Sequence, residues 1–100
     1  MSMKKHHKRS RTHGPRIYLA YDAGRDVSVL RTVRRMADGR IVKWRATYIG
    51  LTLAEQVEAL CWRCTEPRVM RCVIDRAGIG AVLADELRLR IGSKVKNGGE

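Results

Sequence analysis

The 100-residue sequence contains no Phe, only two Trp and only three Tyr. Because 44% of its residues are nevertheless hydrophobic, we expect a core that is mostly aliphatic. A chain of this length forms at most one small domain. No apolar stretch approaches the ~18 residues of a membrane-spanning helix, and the N-terminus lacks the apolar segment of a secretory signal. The sequence therefore predicts no membrane partner.

Cysteine is also scarce, and its count of three is odd. An odd count argues against a disulfide framework and predicts a reducing, cytoplasmic environment. Cys61 and Cys64 fall on the apolar stripe of a predicted helix, and Cys72 falls in an apolar strand. Core packing is favoured over zinc binding, because structural zinc needs four ligands. Histidines that could complete a zinc site lie only in the N-terminal tail: His6, His7 and His13.

Acidic residues are few, 10 against 21 basic residues, and the net charge is +11. This excess predicts a nucleic acid or another anionic partner. The tail, residues 1–15, is basic, contains no acid, and is predicted to be disordered. It is either a solubilising or localisation-like tail, or it binds phosphates by counterion release. Its candidate nucleic-acid contacts are Lys4, Lys5, Lys8, Arg9 and Arg11.

Two apolar runs predict buried strands, and each ends in an aspartate, Asp22 or Asp75. Between them the pattern predicts two further strands joined at Asp38-Gly39, then a helix that begins with a capping box. A second helix begins near Gly78. The predicted fold is therefore a mixed α/β domain over residues 16–91, in the order β-β-β-α-β-α, followed by a flexible C-terminus over 92–100.

The fourth strand can lie beside either the first or the third. Beside the first strand, it brings Asp22 and Asp75 to neighbouring carboxyl ends, about 5 Å apart. Beside the third strand, it leaves them about three strand spacings apart, too far to share an ion. The continuous apolar character of the first strand favours the first arrangement. The simpler interpretation is that Asp22 starts a turn and Asp75 caps a helix.

Two further groups of residues each have a structural and a functional interpretation. Gly78 and Gly80 permit close packing of a helix start against the sheet, or they present a helix N-terminus to a phosphate. The basic residues of the hairpin form either a solvated face or a DNA-facing surface. These hairpin residues are Arg31, Arg34, Arg35, Lys43 and Arg45.

Two segments carry a resemblance to a known family. The segments YDAGRDVS at 21–28 and VIDRAGIG at 73–80, the latter followed by LADEL at 83–87, resemble the two acidic motifs of phage terminase large subunits, in particular those of Mu-like phages. The LAEQ that opens the first helix is similar as well. The resemblance covers about residues 16–90 and implies an RNase H-like nuclease domain that cuts DNA during genome packaging.

By this resemblance, Asp22 and Asp75 are catalytic metal ligands, and Asp26 is a further ligand, for Mg²⁺ or Mn²⁺. Arg25 and Arg76 would flank the DNA. The chain ends before the third ligand of the family and has no G-x-x-x-x-G-K-[ST] motif for an ATPase. We therefore expect an incomplete domain, for example from a decayed prophage gene, with weak or no nuclease activity in a bacterial cytoplasm.

The partners that this resemblance implies are DNA, other terminase or portal components, and a second copy of the chain. The alternative prediction is a non-catalytic basic nucleic-acid-binding module.

Overall fold

The computed structural model describes residues 14–98. They form a mixed α/β fold of five strands and two helices, which confirms the predicted class. The elements are β1 (Arg16–Asp22), β2 (Val27–Arg35), β3 (Ile41–Ile49), α1 (Leu53–Cys64), β4 (Val69–Asp75), α2 (Gly80–Ile91), a 3-10 turn (Gly92–Lys94) and β5 (Val95–Gly98).

The five strands form one sheet in the order β3-β2-β1-β4-β5. β2 runs antiparallel to both β1 and β3, whereas β4 runs parallel to β1 and to β5. β4 therefore lies beside β1, as the apolar character of β1 predicts. This arrangement makes β1 the central strand.

Local chemistry explains where α1 and the β2–β3 hairpin begin and end. The hydroxyl of Thr52 accepts from the amide of Glu55 at 3.1 Å, and the Glu55 carboxylate accepts from the Thr52 amide at 2.8 Å. This is the predicted capping box, which satisfies two amides that the first helical turn leaves free. In the hairpin, Gly39 has φ +92°, a backbone conformation that favours glycine.

The core lies on the one face of the sheet that both helices cover. Alternate residues of β1, such as Leu19 and Tyr21, are buried there against Leu60 of α1 and against Leu83 and Leu87 of α2. Apart from Tyr21, the fully buried hydrophobic side chains are aliphatic or cysteine, as the lack of Phe predicts. The opposite face of the sheet, called the open face below, is covered by no helix within residues 14–98.

β3 is more exposed than its sequence predicts, because the alternation of Val42, Trp44, Ala46 and Tyr48 with polar residues is typical of a strand with one buried face. Its alternate residues do point to the helix side, but Val42 and Trp44 remain 40% and 41% exposed. Only Ala46 and Tyr48, at the other end of the strand, pack against the core. α1 packs against β4, and α2 packs against β4 and β5, so the far part of the hairpin extends past the helices. Alternation in a sequence assigns a face, but it does not say whether anything covers that face.

The C-terminal segment also differs from its prediction. The sequence predicts a flexible segment over 92–100 and a sheet without a fifth strand, whereas the structure has a 3-10 turn and then β5, paired in parallel with β4. Val95 supplies the reason, because it is 4% exposed and lies opposite Cys72 in the core. One apolar residue is too short a signal for a strand in a polar sequence.

A buried polar network ties α1 to the β1–β2 connection. Gln56 is 1% exposed, and its side-chain oxygen accepts hydrogen bonds from Tyr21 at 2.7 Å and from Ser28 at 2.9 Å. The Gln56 side-chain amide donates to the carbonyl of Leu51 at 3.2 Å, and Ser28 accepts from the amide of Gly24 at 3.0 Å. Burial raises the pKa of Tyr21, so this phenol remains a donor at neutral pH.

Each helix is 12 residues long. Across residues 14–98, no helix has the length and apolar character to cross a membrane.

The network predicts a clear stability effect for Gln56→Leu. This substitution keeps a side chain of similar size but leaves the buried Tyr21 hydroxyl without its acceptor, so we expect unfolding to become easier by about 1–3 kcal/mol. Urea unfolding followed by circular dichroism measures it. Glu58→Gln, on the exposed side of the same helix, is the control and should change the free energy of unfolding by less than about 1 kcal/mol.

The Tyr21→Phe/Gln56→Leu double variant removes both partners at once. Its loss of stability should be smaller than the sum of the two single losses, because the Tyr21 hydroxyl that Gln56→Leu leaves without an acceptor is removed as well, and Ser28 still donates to the Gly24 carbonyl. Additive losses would contradict the network.

Candidate functional site

The two strand-end aspartates come together at one edge of the sheet. β1 and β4 pair in parallel with Tyr21 opposite Ile74, so Asp22 and Asp75 follow at adjacent carboxyl ends. Both belong to the set of alternate residues that face away from the core. Of the two arrangements open at the sequence level, the structure therefore has the one that brings these carboxylates together.

Both carboxylates line a small open depression of about 160 Å³. Arg31 of β2 lines it as well, from its position opposite Ala20 of β1. Asp22 and Arg31 are exposed, and Asp75 is half-buried. The remaining lining residues are Ala20, Tyr21, Val73 and Gly98. The depression thus holds two negative charges and one positive charge.

The turn after β4 fixes the Asp75 side chain. One carboxylate oxygen of Asp75 accepts from the backbone amide of Ala77 at 3.0 Å. Gly78 has φ +56°, which favours glycine. A Cβ atom added at Gly80 would lie 1.8 Å from the backbone carbonyl oxygen of Asp75, so only glycine fits there. The backbone conformation of the turn thus accounts for Gly78, and close packing of the α2 start against the strand accounts for Gly80. Phosphate binding at this helix end stays a prediction.

The connection after β1 is equally tight. A Cβ atom at Gly24 would lie 2.0 Å from the carbonyl oxygen of Val27, and the Gly24 amide is held by Ser28. Through Ser28 this connection belongs to the Gln56 network described above. Sequence reasoning missed Gln56 as a residue that positions the site. The available signal was a polar residue beside Val57 on the buried stripe of an otherwise amphipathic helix.

Asp26, predicted as a further ligand beside Asp22 and Asp75, does not line the depression. It is exposed in the β1–β2 connection, and its backbone carbonyl accepts from the amide of Gly50 at 2.8 Å. The connection is closed around Gly24 and Ser28, which turns Asp26 toward β3 instead of toward β4. Its role as a metal ligand stays a prediction that the geometry does not favour.

Two of the predicted DNA contacts, Arg25 and Arg76, lie within the described residues. Arg25 is exposed in the same connection, and Arg76 after β4 forms an ion pair with Asp85 at 3.3 Å. Arg34, grouped with the hairpin cations, faces the helix side and lies over the ring of Trp44. Five predicted contacts lie outside the described residues: Lys4, Lys5, Lys8, Arg9 and Arg11.

The donor set limits which metal sites are plausible. Residues 14–98 contain no group of three or more His, Cys, Asp or Glu side chains that could hold a metal ion. Two adjacent carboxylates nevertheless suit Mg²⁺, which usually takes one or two protein carboxylates and fills its other positions with water and substrate phosphate oxygens. Asp22 and Asp75 therefore fit a shared site of this open kind but not a closed protein cage.

The cysteines are part of the core. Cys64 and Cys72 are buried, and Cys61 is half-buried on the same side of α1. The hydrogen bond between Cys64 and Cys72, together with burial, raises the pKa of Cys72, so it remains a neutral thiol.

Taken together, the chain is a mixed α/β protein with a carboxylate pair at the ends of two central parallel strands. No family model matches its sequence, and no curated protein matches it significantly. Among solved structures it is similar to the Aquifex aeolicus member of the Ppx/GppA protein family, with a TM-score of 0.51 and 14% sequence identity. The match covers 83% of this chain but only 35% of that one. At this identity the likeness shows the fold alone.

This similarity corrects the terminase prediction. The structure that the chain resembles is a Ppx/GppA family member, so the predicted identity as a phage terminase nuclease with a role in DNA packaging is wrong. The motifs behind that prediction have a local cause. Asp75 accepts a turn amide, and Gly80 has no room for a Cβ atom. The turn from β4 into α2 therefore explains both residues without a shared ancestry.

Gly80→Ala tests the close approach at the site. The added methyl group would collide with the Asp75 carbonyl oxygen, and the backbone would have to move to relieve this clash. We therefore expect the free energy of unfolding to fall by about 1–3 kcal/mol. Gly50→Ala is the matched control: its Cβ meets no atom within 4 Å, although φ is +71°. The control should lose only the strain of a left-handed residue, roughly 1 kcal/mol. Chemical unfolding compares the two, and a smaller loss for Gly80→Ala would contradict this packing.

Proposed function

We propose that the chain binds a phosphate compound together with a divalent cation at the strand-end depression. The observation that carries the proposal is the presence of Asp22, Asp75 and Arg31 around one small depression at the carboxyl ends of β1 and β4. Ligand sites of open α/β sheets lie outside the carboxyl ends of the strands. The likeness to the Ppx/GppA family member adds the fold alone.

The roles of the three side chains follow from their charges. Asp22 and Asp75 would hold Mg²⁺ or Mn²⁺, because hard cations prefer carboxylate oxygens. Arg31 would bind a phosphate oxygen through its guanidinium group, for which planar paired hydrogen bonds are well suited. A bound divalent cation would supply Lewis-acid chemistry to the phosphoryl group. This chain's own part is to hold the cation and orient the phosphate beside it.

The size of the depression limits what enters it. Its volume of about 160 Å³ suits a phosphate group with a cation. Pockets that enclose a whole drug-sized ligand usually measure about 300–1,000 Å³. The rest of the ligand would therefore extend over the open face of the sheet.

The finer fold class, an RNase H-like sheet, is part of the same proposal. Its support is the sheet order β3-β2-β1-β4-β5 with only β2 antiparallel, which matches the predicted placement of the fourth strand beside the first.

Paramagnetic Mn²⁺ tests the cation site directly. We expect Mn²⁺ to broaden the amide signals next to Asp22 and Asp75 first. Asp22→Asn and Asp75→Asn should each weaken this binding about tenfold or more, equivalent to about 1.4 kcal/mol. Asp38→Asn is the control, because Asp38 is an exposed turn aspartate that pairs with Arg40. Broadening centred elsewhere, or unchanged in both site variants, would refute the cation site.

Arg31→Gln separates the phosphate role from the cation role. With pyrophosphate as the probe, calorimetric binding that depends on Mg²⁺ should weaken in this variant, while the Mn²⁺ broadening stays in place. Equal Mg²⁺-dependent binding by wild-type protein and Arg31→Gln would remove Arg31 from the proposal.

DNA remains a proposed partner on a separate observation, independent of packaging. The open face carries exposed cations, and Arg31 lies directly opposite Arg45 on the neighbouring strand. Directly opposed like charges destabilise a sheet, so an anionic partner would relieve this cost. The other cations of this face are Arg16, Arg35, Lys43, Arg71 and Lys96. The predicted association with a second copy, and with terminase or portal components, stays untested.

Arg45→Gln tests the open face as a DNA surface. The affinity for a single-stranded oligonucleotide should fall, and the slope of log K against log salt should decrease by about one. Arg90→Gln makes the same change in net charge on α2, where Arg90 pairs with Glu58. If the two variants behave alike, binding follows net charge and the open face is not the DNA surface.

A further inference from the structure

A second cavity lies on the helix side of the sheet, away from the carboxylate pair. It measures about 490 Å³, within the range of small-molecule sites. Ile17 and Val69, near the starts of β1 and β4, form part of its lining, whereas the depression with Asp22 and Asp75 lies at the ends of these strands. The two sites share no lining residue.

Both tryptophans of the chain line this cavity. Trp44 comes from the part of β3 that extends past the helices, and Trp62 comes from the last turn of α1. They are 41% and 73% exposed, respectively, and neither belongs to the buried core. Two large aromatic side chains from separate elements, exposed around one cavity, provide flat apolar surface on which a ring can stack.

The charge of the cavity favours an anion. Arg34 and Arg63 line it, and the only acid in the lining is Glu66, whose carboxylate accepts from the backbone amide of Arg68 at 3.1 Å. The guanidinium of Arg34 lies 5.2 Å from the centre of the Trp44 ring. Its Nε atom is buried and has no hydrogen-bond partner among the described residues. A partly desolvated cation without a counter-charge is costly, and a bound anion would offset that cost.

We propose that this cavity binds a small molecule that combines a flat aromatic ring with an anionic group. The ring stacks on the tryptophans over the apolar floor of Ile17, Leu19 and Val69. The anion pairs with Arg34, and Arg63 contributes a second positive charge while it donates to the Thr32 hydroxyl at 3.3 Å. A nucleoside monophosphate and an aromatic carboxylate share this chemistry.

Tryptophan fluorescence reads out this cavity alone, because both tryptophans line it. Adenosine 5′-monophosphate and benzoate are the two probes, and they distinguish a nucleotide from an aromatic carboxylate. We expect a saturable change in emission, and shifts of both indole N–H signals in NMR spectra, with at least one of them. Adenosine lacks the anion and ribose 5-phosphate lacks the ring, so each should bind at least about tenfold more weakly.

Two variants complete the test. Arg34→Gln and Arg63→Gln should each weaken the better probe, with the larger effect, about tenfold, at Arg34. Arg90→Gln, on the outer side of α2, should leave the affinity unchanged. No saturable change with either probe up to about 10 mM, or equal affinity in Arg34→Gln and wild type, would overturn the proposal. A change in emission with protein concentration, in the absence of either probe, would also overturn the proposal. It would indicate that the cavity is an interface between two copies of the chain.

Discussion

The parallel pairing of β1 with β4 is the constraint on which the rest of the structure depends. This contact joins the antiparallel strands β1, β2 and β3 to the segment that follows α1. Its register sets which residues of β1 and β4 lie side by side. A shift by one residue would turn Leu19 and Tyr21 out of the core, because successive side chains of a strand point to opposite faces. The same register brings Asp22 beside Asp75. The same pairing therefore packs the core and assembles the acidic site.

The sequence was informative wherever a local interaction decides the structure. The capping box of Thr52 and Glu55, the glycine of the hairpin and the apolar runs of β1 and β4 each act within a few residues, so a pattern suffices to find them. It was less informative where the outcome depends on what lies across the fold. β5 is stabilised by the burial of one valine, and Gln56 is buried because two hydroxyl groups far along the chain meet its oxygen.

The candidate site could be predicted in part for the same reason. The strand-end positions of Asp22 and Asp75 follow from the apolar runs, whereas the contribution of Arg31 depends on the pairing of β1 with β2. The family resemblance failed because its motif residues serve local geometry. Asp75 holds a turn amide and Gly80 admits the close approach of a helix, whichever family a chain belongs to. A short motif that packing explains is weak evidence of kinship.

Within residues 14–98, both faces of the sheet carry cations. On the open face Arg31 lies beside the carboxylate pair, and on the helix side Arg34 and Arg63 line a cavity with two exposed tryptophans. We propose that Asp22 and Asp75 share one divalent cation. Crystals soaked in Mn²⁺ and measured for anomalous scattering test it most directly. We expect one peak about 2.0–2.6 Å from an oxygen of each carboxylate, whereas a peak bound to only one of them, or none at this edge of the sheet, would contradict a shared cation.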